Sequence, residues 1–88
     1  MYRINFYVPA SHLELVKDAL FEAGAGSLGG YQRCSWQVAG KGQFLPGADS
    51  DPHIGTAGQL ERVEEYKVEM VCHPDCISAA IDALIQSG

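Results

Sequence analysis

Basic charge, paired cysteines and long apolar runs are all scarce in this 88-residue chain, and each scarcity removes a class of protein. Six basic side chains stand against eleven acidic ones, for a net charge of −5. Nonspecific nucleic-acid binding needs a basic face that displaces counterions, and no such patch is visible. Three cysteines, Cys34, Cys72 and Cys76, are too few for a framework of two or more disulfides, so reduced thiols and a cytoplasmic location are expected. No run approaches the ~20 apolar residues of a membrane span. The first residues, Met1 to Val8, alternate apolar and polar where a secretory signal would be continuously apolar. What the chain does have is apolar content: 47% hydrophobic against 19% charged residues, a globular composition. A single domain over residues 1–88 is expected. A domain of this size buries only about 60% of the surface its unfolded chain exposes, so a partner subunit would help stabilise it.

Periodicity sets out the elements. Residues 2–8 read as a strand with Tyr2, Ile4, Phe6 and Val8 on one face and Arg3, Asn5 and Tyr7 on the other. Pro9 stops the ladder. Ser11 and Glu14 have capping-box spacing ahead of the stripe Leu13, Val16, Leu20, and Gly24 suits a helix C-cap. A second strand is expected at about 31–39, with Cys34, Trp36 and Val38 on one face and Arg33, Ser35 and Gln37 on the other. Residues 40–58, rich in glycine, read as a long loop or an open hairpin excursion. A third strand at about 62–72 places Tyr66, Val68, Met70 and Cys72 together, and Pro74 opens a helix carrying Ile77, Ile81 and Leu84. Each half is thus strand, proline, helix. The predicted fold is α+β, a ferredoxin-like β-α-β-β-α(-β) sandwich with an antiparallel sheet and two helices on one face. Arg3, Tyr7, Arg33 and Lys67 are expected on the other face. A closing strand is absent from the chain as it stands, and the open edge this leaves argues for oligomers.

Motifs that carry chemistry are few. Gly24-Ala25-Gly26-Ser27-Leu28-Gly29 matches G-x-G-x-x-G, but a helix precedes it and a strand follows, the reverse of what a dinucleotide phosphate needs. A C-cap followed by a close turn explains it. Cys72-His73-Pro74-Asp75-Cys76 groups soft ligands at a strand-to-helix junction. Alternation along the strand points Cys72 into the core and His73 away from it. His12-x-Glu14 has no matching Pro-Cys-x-x-Cys partner, no G-x-S-x-G elbow exists, and Glu64-Glu65 reads as a solvated strand end. No catalytic residue is assigned. The stretch Gly42 to Gly55 carries exposed-type apolar residues, Phe44, Leu45 and Ile54, between turn formers, with Asp49, Asp51 and His53 as possible cation ligands.

Taken together, Phe21-Glu22-Ala23-Gly24-Ala25-Gly26, Gly29-x-Tyr31-x-x-Cys34-Ser35, Gly42-x-Phe44-x-Pro46, Pro52-x-Ile54-Gly55 and Glu65 resemble, in order and spacing, the domain inserted in many bacterial Nif-three-like (YqfO-type) proteins. The chain looks most like the small stand-alone version of that domain. The resemblance implies a fold related to the PII signalling and CutA proteins, whose members are trimers. It also implies that the family's paired metal ions belong to flanking domains whose histidines and carboxylates this chain lacks. The family continues with a His-Pro-Tyr-Glu-Glu segment and a final strand. Gly24, Gly26, Gly29, Tyr31, Cys34, Pro46, Pro52 and Gly55 then look structural. The resulting expectation is a non-enzymatic homo-oligomer, with a trimer favoured, that contacts a protein or small-molecule ligand through Gly26, Gly29, Tyr31, Phe44, Pro46 and His53. No nucleic acid, membrane or cofactor is expected. The alternative is CutA-like binding of a divalent or soft metal ion at Cys34, Cys72, His73 and Cys76, with His53 as a further ligand.

Overall fold

The alternating N-terminus forms strand β1, Tyr2–Val8, in a computed structural model that describes residues 1–49 and 55–88. Ile4, Phe6 and Val8 are buried, while Arg3, Asn5 and Tyr7 are exposed. Tyr2, expected beside Ile4, sits at the strand end and stays exposed. Pro9 ends the strand, and a 3-10 turn, Ala10–His12, leads into helix α1, Leu13–Glu22. That inserted turn displaces Ser11 from the N-cap, which His12 occupies instead. The expected capping box therefore does not form, and Ser11 Oγ lies 2.8 Å from His12 Nδ1.

The exit from α1 follows the sequence closely. The Ala25 N–H donates to Leu20 O at 3.0 Å and the Gly24 N–H to Phe21 O at 3.0 Å, the paired bonds of a Schellman motif. Gly24 takes φ +105° at the position where an L side chain is strained. Strand β2, Trp36–Phe44, and strand β3, Glu61–Cys72, complete an antiparallel sheet ordered β1-β3-β2. His73 caps the next 3-10 turn, Pro74–Cys76, by accepting from the Asp75 N–H at 3.2 Å, and helix α2, Ile77–Ser87, follows.

Both helices lie on one face of the sheet. Leu13, Val16 and Leu20 of α1 and Ala80 of α2 close over Ile4, Phe6, Val8, Val68, Met70 and Cys72. Leu20, Val16, Val68 and Cys72 are fully enclosed. The small Ala80 side chain lets α2 approach the layer beneath it closely. This α+β arrangement is consistent with the ferredoxin-like expectation. No helix among the described residues is long and apolar enough to cross a membrane.

Strand β2 departs from expectation in both position and facing. Residues 26–35 do not extend but fold into a tight turn. The Gly26 N–H donates to Val71 O at 2.8 Å, and Leu28 and Tyr31 exchange backbone bonds at 3.0 and 2.9 Å. The strand therefore starts at Trp36 instead of 31 and runs on to Phe44. In the register Gln37 opposes Val68 and Trp36 opposes Glu69. Residues directly opposite in a ladder share a face. Gln37 thus lies on the helix side, where Lys17 Nζ donates to its Oε1 at 3.0 Å. Trp36 and Val38 lie on the uncovered face with Arg3, Tyr7 and Lys67. Arg33, expected on that face, belongs to the turn and reaches back to α1.

Of the two readings of residues 40–58, the hairpin is the one that forms along its base. Gly40 to Phe44 pair with Glu65 to Glu61, and beyond them the Gly58 N–H donates to Pro46 O at 2.8 Å. With this two-stranded arm the molecule is elongated, 48 Å in its longest dimension against 23 and 20 Å.

Candidate functional site

The uncovered sheet face is built in rows. Asn5, Glu69 and Trp36 stand side by side across the three strands, and Tyr7, Lys67 and Val38 form the next row. Trp36 is 59% exposed and Val38 45%, although both are large apolar residues. At the end of this face nearest the glycine turn, a groove of about 410 Å³ opens between sheet and turn. Arg3, Trp36, Glu69 and Val71 form its floor, and Leu28 and Cys34 form its wall. Across the floor, Arg3 Nη1 is 3.7 Å from Glu69 Oε1, a loose ion pair. The Glu69 side chain is 26% exposed and that of Arg3 68%.

The wall is held by Arg33. This residue adopts φ 55°, uncommon for a side chain with a Cβ. The backbone conformation aims its guanidinium back at α1. Its Nη1 lies 3.2 Å from Asp18 Oδ1 and its Nη2 2.7 Å from Glu22 Oε1, and the group stands 5.4 Å from the centre of the Phe21 ring. Behind it, the Cys34 N–H donates to Gly26 O at 2.7 Å. The wall is therefore clamped at its side chain and at its backbone.

The residues expected to bind a ligand do not gather in one chain. Gly26 and Gly29 shape the turn, with φ of 85° and 58°, and Tyr31 beside them is exposed. A side chain at Gly26 would meet the Phe21 ring at 2.8 Å, which accounts for that glycine structurally. Phe44, half-buried, and Pro46, buried, lie at the far end of the arm. Gly26 bonds to Val71 whereas Phe44 pairs with Glu61, and that length of strand spans about 33 Å at ~3.3 Å per residue. His53 lies outside the described residues.

The soft ligands are likewise dispersed. Cys72 is buried at the end of β3, and its thiol donates to His73 O at 3.6 Å. Burial pushes the Cys72 thiol above its usual pKa, and the neighbouring Cys76 adds to the effect. Cys76 Sγ packs against Gly24, only 2.7 Å from where a Cβ would stand. His73 turns to Asp75, with Nδ1 at 3.4 Å from Asp75 Oδ2. Cys34 is instead part of the groove wall, with Sγ 3.9 Å from Gln32 O. Among the described residues, no three His, Cys, Asp or Glu side chains converge on a point that could hold a metal ion. Neither this geometry nor the relatives described next favours the CutA-like alternative.

Arg3, Trp36 and Glu69 were not anticipated as a site. The available signal was the chain's single tryptophan, flanked by the polar Ser35 and Gln37, which fits an exposed face as readily as a buried one.

The fold defines a small α+β domain with a groove at one end of its sheet, and comparison with known proteins places it beside one group. No family model matches the chain. It is 45% identical over 78 residues to a protein of Mycobacterium leprae named GTP cyclohydrolase 1 type 2 homolog, covering 89% of this chain and 20% of that one. A protein of the same name from Halalkalibacterium halodurans is 37% identical over 87 residues, covering 99% and 23%. Among solved structures, a Bacillus cereus protein related to NIF3 superposes with a TM-score of 0.80 at 34% identity, covering 97% of this chain and 21% of that one. The chain therefore resembles, in sequence and in fold, one segment of NIF3-related proteins. It spans about one-fifth of the length of the curated relatives it matches.

Proposed function

We propose that the chain is a non-enzymatic, homo-oligomeric binding module of the NIF3-associated type, with a trimer as its assembly, related in fold to the PII and CutA proteins. The observation that carries this reading is the uncovered side of β2. Val38 is exposed on a sheet face, and among the described residues the arm beyond it has no helix layer over it. An isolated two-stranded ribbon is marginally stable in water at best, so this arm calls for a covering surface. A second copy supplies one: the arm carries Lys41 and Arg62 among Glu61, Glu64 and Glu65, a mixture of charges that can pair between copies. The groove lies at the opposite end of the sheet and stays free for a ligand. Its lining is suited to binding, with an indole, aliphatic side chains and one loose ion pair.

Light scattering on the full chain at micromolar concentration tests the assembly. The reading expects a mass near three times 9.5 kDa, and a stable monomer of 9.5 kDa would reject it. The name carried by the relatives makes GTP the natural probe for a nucleotide-binding alternative.

A further inference from the structure

We infer that the Trp36 groove receives an arginine side chain presented by a partner protein; this rests on the groove being the module's binding site. Three observations converge on a guanidinium.

The first is electrostatic. The chain carries net charge −5, which favours a cationic partner. At the groove floor, the Glu69 carboxylate is mostly covered by protein, and among the described residues its ion-pair partner is Arg3, at 3.7 Å. A charge-assisted N–H···O bond is closer to ~2.8 Å, so that pair leaves room for a better donor. With its side chain 68% exposed, Arg3 can swing away.

The second is the indole. Trp36 stands directly opposite Glu69 in the ladder and presents its ring to solvent. A cation over an indole face is attracted by the ring quadrupole, and a planar guanidinium also stacks on it. The chain already uses this combination in Arg33, which stands over Phe21 while paired to Asp18 and Glu22.

The third is size and lining. A groove of about 410 Å³ far exceeds a lone guanidinium. Leu28 and Val71 supply apolar surface for the methylene stem of a long side chain. The rest of the opening is free for neighbouring residues of the partner, which favours a protein segment over a free small cation.

The single tryptophan makes the test direct: excited at the red edge, beyond the absorption of the four tyrosines, the chain emits from Trp36. The full chain is titrated with a blocked Leu-Arg-Leu tripeptide, with agmatine and with GTP. The tripeptide is expected to change Trp36 emission and to bind about tenfold tighter than agmatine. Glu69→Gln should weaken the tripeptide about tenfold. Arg3→Ala should strengthen it severalfold, because it removes the competing guanidinium. Circular dichroism on both variants confirms that they fold. Agmatine binding as tightly as the tripeptide would overturn the protein partner. GTP binding in preference to the tripeptide, or weaker tripeptide binding in Arg3→Ala, would overturn the guanidinium assignment while keeping the groove. A null result with all three probes would remove the groove as a binding site, and the inference with it.

Discussion

Strands β1 and β2 flank the same central strand, yet they solve opposite problems. β1 alternates buried and exposed residues and β3 opposite it alternates buried and half-buried ones, because α1 and α2 cover one side of both. In β2 every residue from Trp36 to Lys41 is exposed, and its length beyond Ala39 is paired with β3. The hydrophobic effect therefore fixes β1 within the single chain. For β2 it leaves Trp36 and Val38 exposed. On the proposed reading, one strand is placed for folding and the other for contact.

Substitutions at the two strands and their supports should separate these roles. The largest effect belongs to the covered side. Leu20→Ala, at the centre of the core, should cost about 3 kcal/mol or more in chemical denaturation, enough to threaten the fold of so small a domain. Gly24→Ala should cost about 1–3 kcal/mol, because it forces a side chain into φ +105° and against Cys76 Sγ, and a lowered melting temperature would register it. Arg33→Ala removes two half-exposed ion pairs and should cost about 0.5–1 kcal/mol, with faster hydrogen exchange at the Cys34 amide as its local signature. On the uncovered side, Val38→Ser should change the stability of the dilute chain by no more than about 0.5 kcal/mol, while lowering the assembled mass seen by light scattering. A large stability loss there would erase the distinction between the strands.

The smallest effect is one of pH. The Cys72 thiol is held above its ordinary value of 9.0, so the unfolded chain releases that proton first. Above pH 9 the native state then holds more protons, and stability falls as pH rises. Cys72→Ala should be weaker at every pH but should lack this part of the decline. Denaturation curves at pH 8 and 10 for both proteins would show whether the slope differs.

Most of the covered layer was legible in the sequence. Ile4, Phe6 and Val8, the stripe Leu13, Val16, Leu20, the C-cap at Gly24 and the triplet Val68, Met70, Cys72 all follow from burial, which leaves a period in the residues. β2 was read less well because its causes lie elsewhere. Gly40, Lys41 and Gly42 read equally as loop or open hairpin, and only a ladder with Glu65, Glu64 and Val63 holds them extended as hairpin. The strand start was placed too early because nothing local reveals that Arg33 adopts φ 55° to reach Asp18 and Glu22. Facing was reversed for a related reason. A one-residue difference in register moves every side chain to the other face, and only the partner strand fixes that register. The groove was missed for the same cause: Arg3, Trp36 and Glu69 come from three strands and meet only after the sheet is assembled. A surface that no other part of the chain covers leaves no period of its own.

The arm offers the sharpest measurement. Amide hydrogen exchange is followed along Gly40 to Phe44 and Glu61 to Glu65, and along β1 as a reference, in dilute and in concentrated protein. If a second copy covers the arm, its amides become protected as concentration rises while those of β1 do not change. Exchange along the arm that is the same at every concentration would contradict the assignment of β2 to contact.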